Sequence, residues 1–109
     1  MKIQWENITI KHEKSQDSGR FLAYYDGVEA GYIKYKWMEN GNFNANGTLV
    51  YEEFRDKKIG RPLYDTLLNF AREKGVKIYP TCPYVVKLML RDTSVHDLLD
   101  DDFKKENGL

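Results

Sequence analysis

The sequence predicts a mixed α/β fold in which an antiparallel meander runs into a parallel strand pair. Three observations predict it. Apolar and polar residues alternate through the first half of the chain, as on half-buried strands. From residue 63 the apolar spacing lengthens to that of a helix. Beyond that helix a short apolar run, Val76 to Tyr79, returns to strand character.

The first strand is expected from Asn7 to Glu13, where Ile8 and Ile10 alternate with Thr9 and Lys11. Arg20 to Tyr25, Asp26-Gly27 and Val28 to Trp37 then read as a hairpin, because Asp-Gly readily takes the positive φ angles of a tight turn. Tyr24, Tyr25, Tyr32, Tyr35 and Trp37 fit core and cross-strand packing better than a platform for stacked bases. A turn at 39–42 leads to a further strand, Phe43 to Tyr51, whose end extends to about Glu53. Glu52 and Glu53 then close that strand as exposed edge charge, or as a general base beside a cleft.

Leu63, Leu67, Phe70 and Ala71 recur at helical spacing, with Pro62 in the first turn and Gly75 at the expected left-handed cap. Pro80 ends the following strand, and Pro83 opens a second helix that runs to about Arg91. Val95, Leu98 and Leu99 suggest one more helical turn. The segment 100–109 is charged, so a frayed tail is expected, with Asp100, Asp101 and Asp102 as a solvated run.

At 109 residues the chain is expected to form one domain, residues 1–109. Lysine plus arginine and aspartate plus glutamate both number 17, so no basic stripe recommends a nucleic acid as partner. The lone cysteine, Cys82, has no partner for an intrachain disulfide, and MKIQWENITI lacks the apolar core of a signal peptide. A cytoplasmic location without membrane attachment is the expectation. Neither His12 nor His96 has a second histidine at ligand spacing, so no metal is expected.

Strand, helix and strand in this order make a right-handed crossover between parallel neighbours. The loops Phe54 to Ile59 and Pro80 to Cys82 then emerge on one sheet edge, where open α/β sheets bind ligands. The first loop and the helix start gather Arg55, Lys57, Lys58 and Arg61, with Asp56 opposing them and Ile59 and Gly60 between. Free N–H groups and the helix dipole favour an anion there, and glycine at 60 permits close approach. A solvated basic loop is the plainer alternative. The second loop sets Cys82 at the N-cap of the next helix, where a thiol gains thiolate character. A cysteine that simply fills core is again the plainer alternative.

Together the two loops resemble the GNAT superfamily of N-acetyltransferases, and within it the minimal single-domain group. The superfamily signature is R/Q-x-x-G-x-G/A, and Arg55 and Gly60 match its first and last positions. The likeness runs from about Arg20 to Leu99. It includes the Asp26-Gly27 hairpin, the helix end Ala71 to Gly75, the motif P-x-C-P-Y/F-V at Pro80 to Val85, and Arg91 with Asp97-Leu98 downstream. Three positions depart from the pattern. Lys58 stands at the first signature glycine, Asp56 where the minimal group often has glycine, and Gly47-Thr48 where it commonly has His-Thr.

The resemblance implies a splayed parallel pair that admits a thioester, acetyl-CoA as co-substrate, and an amine, on a protein or a small molecule, as acceptor. It also implies that Arg55, Asp56, Lys57, Lys58, Ile59, Gly60 and Arg61 hold the pyrophosphate and that Cys82 stands near the reacting carbonyl. Cys82 then either carries the acyl group in transit or only shapes the site. A catalytically silent coenzyme-binding or interaction module of the same fold is the rival expectation, favoured by the altered glycine signature and the missing histidine.

Overall fold

The computed structural model describes residues 7–109, so the first six residues of MKIQWENITI lie outside the described residues. Five strands form one sheet in chain order: β1 (Ile8–Lys14), β2 (Ser18–Tyr25), β3 (Val28–Trp37), β4 (Phe43–Val50) and β5 (Ile78–Pro80). The first four pair antiparallel, while β4 and β5 are parallel. Helix α1 (Gly60–Lys74) makes the crossover between that pair, and α2 (Pro83–Arg91) and α3 (Asp101–Glu106) follow. The expected meander and parallel pair, flanked by helices, are the fold of the chain. No helix among the described residues is long and apolar enough to cross a membrane.

One sheet face carries α1 and α2. Leu63, Leu67, Phe70 and Ala71 of α1 are buried against it, at the helical spacing that predicts one apolar stripe. The Phe70 ring lies 5.2 Å from Tyr35, 5.4 Å from Phe21 and 5.7 Å from Phe43, so these three strand aromatics are core, while Tyr24 and Tyr32 are half-buried outside it. His12 completes this cluster, stacked 4.2 Å from Phe21 with Nε2 2.7 Å from the Tyr35 hydroxyl. The register sets Leu22, Tyr32 and Leu49 side by side on the other face, with Arg20, Lys34 and Lys36 around them. There α3 covers only the β5 end, where Phe103 meets Tyr79 at 5.4 Å.

The β4–β5 ladder is short. Phe43, Asn44 and Ala45 pair with Ile78, Tyr79 and Pro80, and pairing stops there although β4 continues to Val50. At the stopping point the Ala45 carbonyl accepts N–H bonds from both Thr81 and Cys82, each 3.0 Å, and the chain then turns into α2. The register beside β3 also shifts there: Tyr35 pairs with Ala45 and Lys34 with Gly47, which leaves Asn46 as a bulge. β4 and β5 therefore splay from Asn46 onward.

Four expectations need correction. β4 ends at Val50 rather than near Glu53, because the Phe54 N–H closes onto the Tyr51 carbonyl at 2.9 Å and starts a 3-10 helix, Glu52–Lys57. Glu52 and Glu53 are therefore exposed in a helical turn, and the loop Phe54 to Ile59 is mostly helical. β5 starts at Ile78 rather than Val76, since Val76 N–H closes the α1 cap onto the Ala71 carbonyl at 3.1 Å. The segment 100–109 is not a frayed tail, because Asp100 is 1% exposed and caps α3, whose Phe103 is buried.

Candidate active site

Cys82 sits in the wedge of the splay. Its thiol is almost fully buried and donates to Thr48 Oγ1 at 3.3 Å, on the part of β4 that β5 no longer pairs. The backbone fixes this placement, since Cys82 N–H is tied to Ala45 and Pro83 begins α2 at the next residue. Cys82 is thus the N-cap of α2 by backbone geometry, as the sequence implied, although its side chain makes no capping bond.

Above the wedge the first turn of α1 meets α2. A cleft of about 410 Å³ there is lined by Val50, Arg55, Lys58, Ile59, Gly60, Arg61, Tyr84 and Leu88. Five of the seven residues of the expected pyrophosphate segment therefore face one cleft: Arg55, Lys58, Ile59, Gly60 and Arg61. Asp56 and Lys57 do not. Asp56 is exposed, and Lys57 Nζ turns to the Tyr25 ring, 5.5 Å from its centroid. Ile59 contributes its backbone, because its side chain is 1% exposed in the core.

Local conformation explains how the segment can present N–H groups without the signature's first glycine. Lys58 itself is left-handed, at φ 57° and ψ 44°, and ends the 3-10 helix so that α1 can start two residues later. No side chain caps α1, and its third residue, Pro62, has no N–H. Gly60 also has a packing job. A Cβ there would lie 2.9 Å from the Tyr84 hydroxyl, so this glycine lets α2 pack against the start of α1.

Electrostatically the cleft is cationic with an aromatic wall. Arg61 bonds Asp65 at 3.1 Å and lies 5.5 Å over the Tyr64 ring. Burial pushes the Tyr64 phenol up to about 12, and its hydroxyl is the single buried side-chain polar atom without a partner among the described residues. Burial raises the Tyr84 phenol too. Both tyrosines stay protonated donors near neutral pH. Tyr84 was visible inside the P-x-C-P-Y/F-V motif, whereas nothing in the sequence signalled Tyr64, a plain member of the helical pattern.

Other residues singled out lie elsewhere. Arg91 is exposed, Leu98 is buried in the core, and Asp97 bonds Arg72 at 3.0 Å. Where the minimal group commonly has histidine, Gly47 is overlain by a lysine: a Cβ on it would meet Lys34 Cε at 2.6 Å. Among the described residues no group of three or more potential ligands gathers to hold a metal.

Comparisons with known proteins agree with this architecture. A search of curated proteins found no match. Among solved structures, a GCN5-like protein from Staphylococcus aureus aligns at 22% identity over 87% of this chain and 90% of its own, with a TM-score of 0.65. A ribosomal-protein-alanine N-acetyltransferase from Brucella melitensis biovar Abortus 2308 aligns at 21% identity over 64% of this chain, with a TM-score of 0.56. Nourseothricin acetyltransferase aligns at 21% identity over 68% of this chain, with a TM-score of 0.50. This chain spans 53% and 58% of the lengths of the latter two, so at these identities the likeness establishes the fold. The family model for GCN5-related N-acetyl-transferases matches residues 20–98, which include most of β2, all of β3 to β5, the cationic cleft and Cys82. The chain belongs to the GCN5-related N-acetyl-transferase family.

Proposed function

We propose that this chain transfers the acetyl group of acetyl-CoA to a primary amine. One observation carries the proposal: the β4–β5 splay, with the Cys82 thiol in its wedge, opens beside a helix start that gathers Arg55, Lys58 and Arg61. The donor set suits a pyrophosphate. It offers cations, unpaired first-turn N–H groups and the positive end of the α1 dipole, with no carboxylate lining the cleft. The unpaired edge of β4, Asn46 to Val50, gives an extended acyl carrier a strand to lie against.

In this reading Cys82 is a transient acyl acceptor. Its sulfur forms a bond to the acetyl carbonyl carbon, the carbon–sulfur bond to coenzyme A breaks, and the thiol proton passes to the departing sulfur. The amine then attacks the acyl-cysteine, and the Cys82 thiolate leaves and recovers a proton from the amine. Burial of the thiol, and a hydroxyl rather than a base as its partner, favour a second reading in which the amine attacks the bound thioester directly.

Intact-protein mass spectrometry after incubation with acetyl-CoA, with thiol release measured over a panel of amines, separates these. One added acetyl group that Cys82→Ala abolishes together with turnover supports the covalent route. Turnover that survives in Cys82→Ala supports direct attack. Coenzyme at about a hundred times its dissociation constant should stabilise the fold by about 2.7 kcal/mol. A full stabilisation in the Arg55→Glu/Arg61→Glu double variant would overturn the assigned cleft, and stabilisation without turnover on any amine would leave a silent binding module.

A further inference from the structure

A second cleft lies on the other side of the same strand bulge. About 550 Å³ in volume, it opens between the β1–β2 turn and β3, and Asn46 forms part of its wall. Asn46 stands between the two β4 residues that touch Cys82: Ala45, whose carbonyl holds the Cys82 N–H, and Thr48, whose hydroxyl holds its thiol. Consecutive Cα atoms are about 3.8 Å apart, so this wall is within one or two residues of the proposed acyl site. The register puts Lys34 and Lys36 on the face opposite α1, whereas Thr48, paired with the core residue Ile33, faces the helices. A coenzyme entering over α1 would therefore meet an acceptor entering from this cleft across the edge of β4.

The charge of the cleft selects what can enter. Lys14, Lys34 and Lys36 line it, with Asp17 as the one carboxylate not already committed, because Glu13 bonds Arg20 at 2.8 Å. None of the three lysines makes an ion pair among the described residues. Lys34 runs directly across Gly47, with Cγ, Cδ and Cε all within 3.5 Å of where a side chain at 47 would start. Its aliphatic chain thereby lies over β4 one residue from Asn46.

We infer that this cleft seats the acceptor, and that it selects amines carrying carboxylates close to the reacting nitrogen while rejecting polyamines and lysine-rich segments. The inference rests on the acetyl-transfer reading. Three lysines attract an anionic tail and repel a second cation. A free amino terminus followed by acidic residues and a small dicarboxylic amino acid share the required chemistry.

Two hexapeptides with free amino termini, one with aspartates and one with lysines at the next two positions, test the inference beside glutamate as the small-molecule probe. Titration calorimetry on protein saturated with coenzyme A measures binding, and thiol release measures transfer. The aspartate peptide should bind and react about tenfold better than the lysine peptide, a difference near 1.4 kcal/mol. Lys34→Glu/Lys36→Glu should invert that order while coenzyme A still raises the melting temperature, which shows the variant folded. Turnover of glutamate alongside the peptide assigns the shared chemistry, and turnover of the peptide alone assigns a protein amino terminus. Equal treatment of the two peptides, or an order unchanged in the double variant, overturns the proposal. If no amine is acetylated, the transfer reading fails by itself, and calorimetry still decides whether the lysine cleft prefers the acidic peptide.

Discussion

Lys58 shows how a single residue can depart from a motif and keep its geometry. A side chain in the left-handed region costs about 1 to 2 kcal/mol, which glycine would not incur. Glycine in turn loses about 0.5 to 1 kcal/mol through its freer unfolded chain. Lys58→Gly should therefore raise stability slightly, by about 0.5 kcal/mol, in a urea titration. Because the backbone is already left-handed with lysine, glycine adds nothing to the geometry offered to a phosphate. The lost charge then decides the binding: coenzyme A should bind about two- to fivefold more weakly, with a shallower salt dependence. Tighter binding of the glycine variant would mean that strain, not charge, limits this site. At this scale the motif residues were legible because backbone freedom and charge can be read from residue type alone. The surroundings of Tyr64 and Lys34 were not, because they are made by elements distant in sequence.

Helix α3 is short, six residues, and is held by its cap rather than by its length. Asp100 accepts from its own helix at Asp102 N–H and Phe103 N–H, and from Asn42 and Asn40 in the β3–β4 turn at 2.7 and 3.0 Å. Burial alone would push this carboxyl up, but the bonds from Asn42, Phe103, Asn40 and Asp102 outweigh it and hold it below the usual range. Asp100→Ala removes the cap and strands two amides, a loss of about 2 to 3 kcal/mol. The native state binds this proton less readily than the unfolded chain, so the contribution is present above a pH of about 4 and fades as pH falls through the native value. Urea titrations from pH 7 to pH 3 should show that fade in the parent protein, and Asp100→Asn should flatten it. An equal slope in both would remove Asp100 from the acid response. The sequence showed an acidic, terminal segment and so suggested fraying. It could not show the turn that folds back from residues 40 and 42 to meet it.

For the whole molecule, the order of elements was legible because period-two spacing gives way to helical spacing after the meander and the Gly and Pro residues mark the joints. The strand ends next to the site were less so. β4 stops early and β5 starts late because backbone bonds of the flanking helical turns, at Phe54 and Val76, claim residues whose composition suits a strand. The three-residue ladder left between β4 and β5 also governs the order in which the molecule assembles. β1 to β4 join neighbours through tight turns, whereas Phe43 must wait for Ile78 until the whole of α1 has closed the loop between them. Loop closure of that length precedes any contact that rewards it, so the meander forms first and the wedge around Cys82 last. The same few bonds then open first in the native protein. In hydrogen exchange the amides of Phe43, Thr81 and Cys82, which cross this joint, should lose protection well before those of Phe21, Ile33 and Tyr35 in the meander. Uniform exchange across both groups would mean one cooperative unit. Graded exchange would mean that the cleft can breathe, and a bulky thioester enter, while the rest of the sheet stays closed.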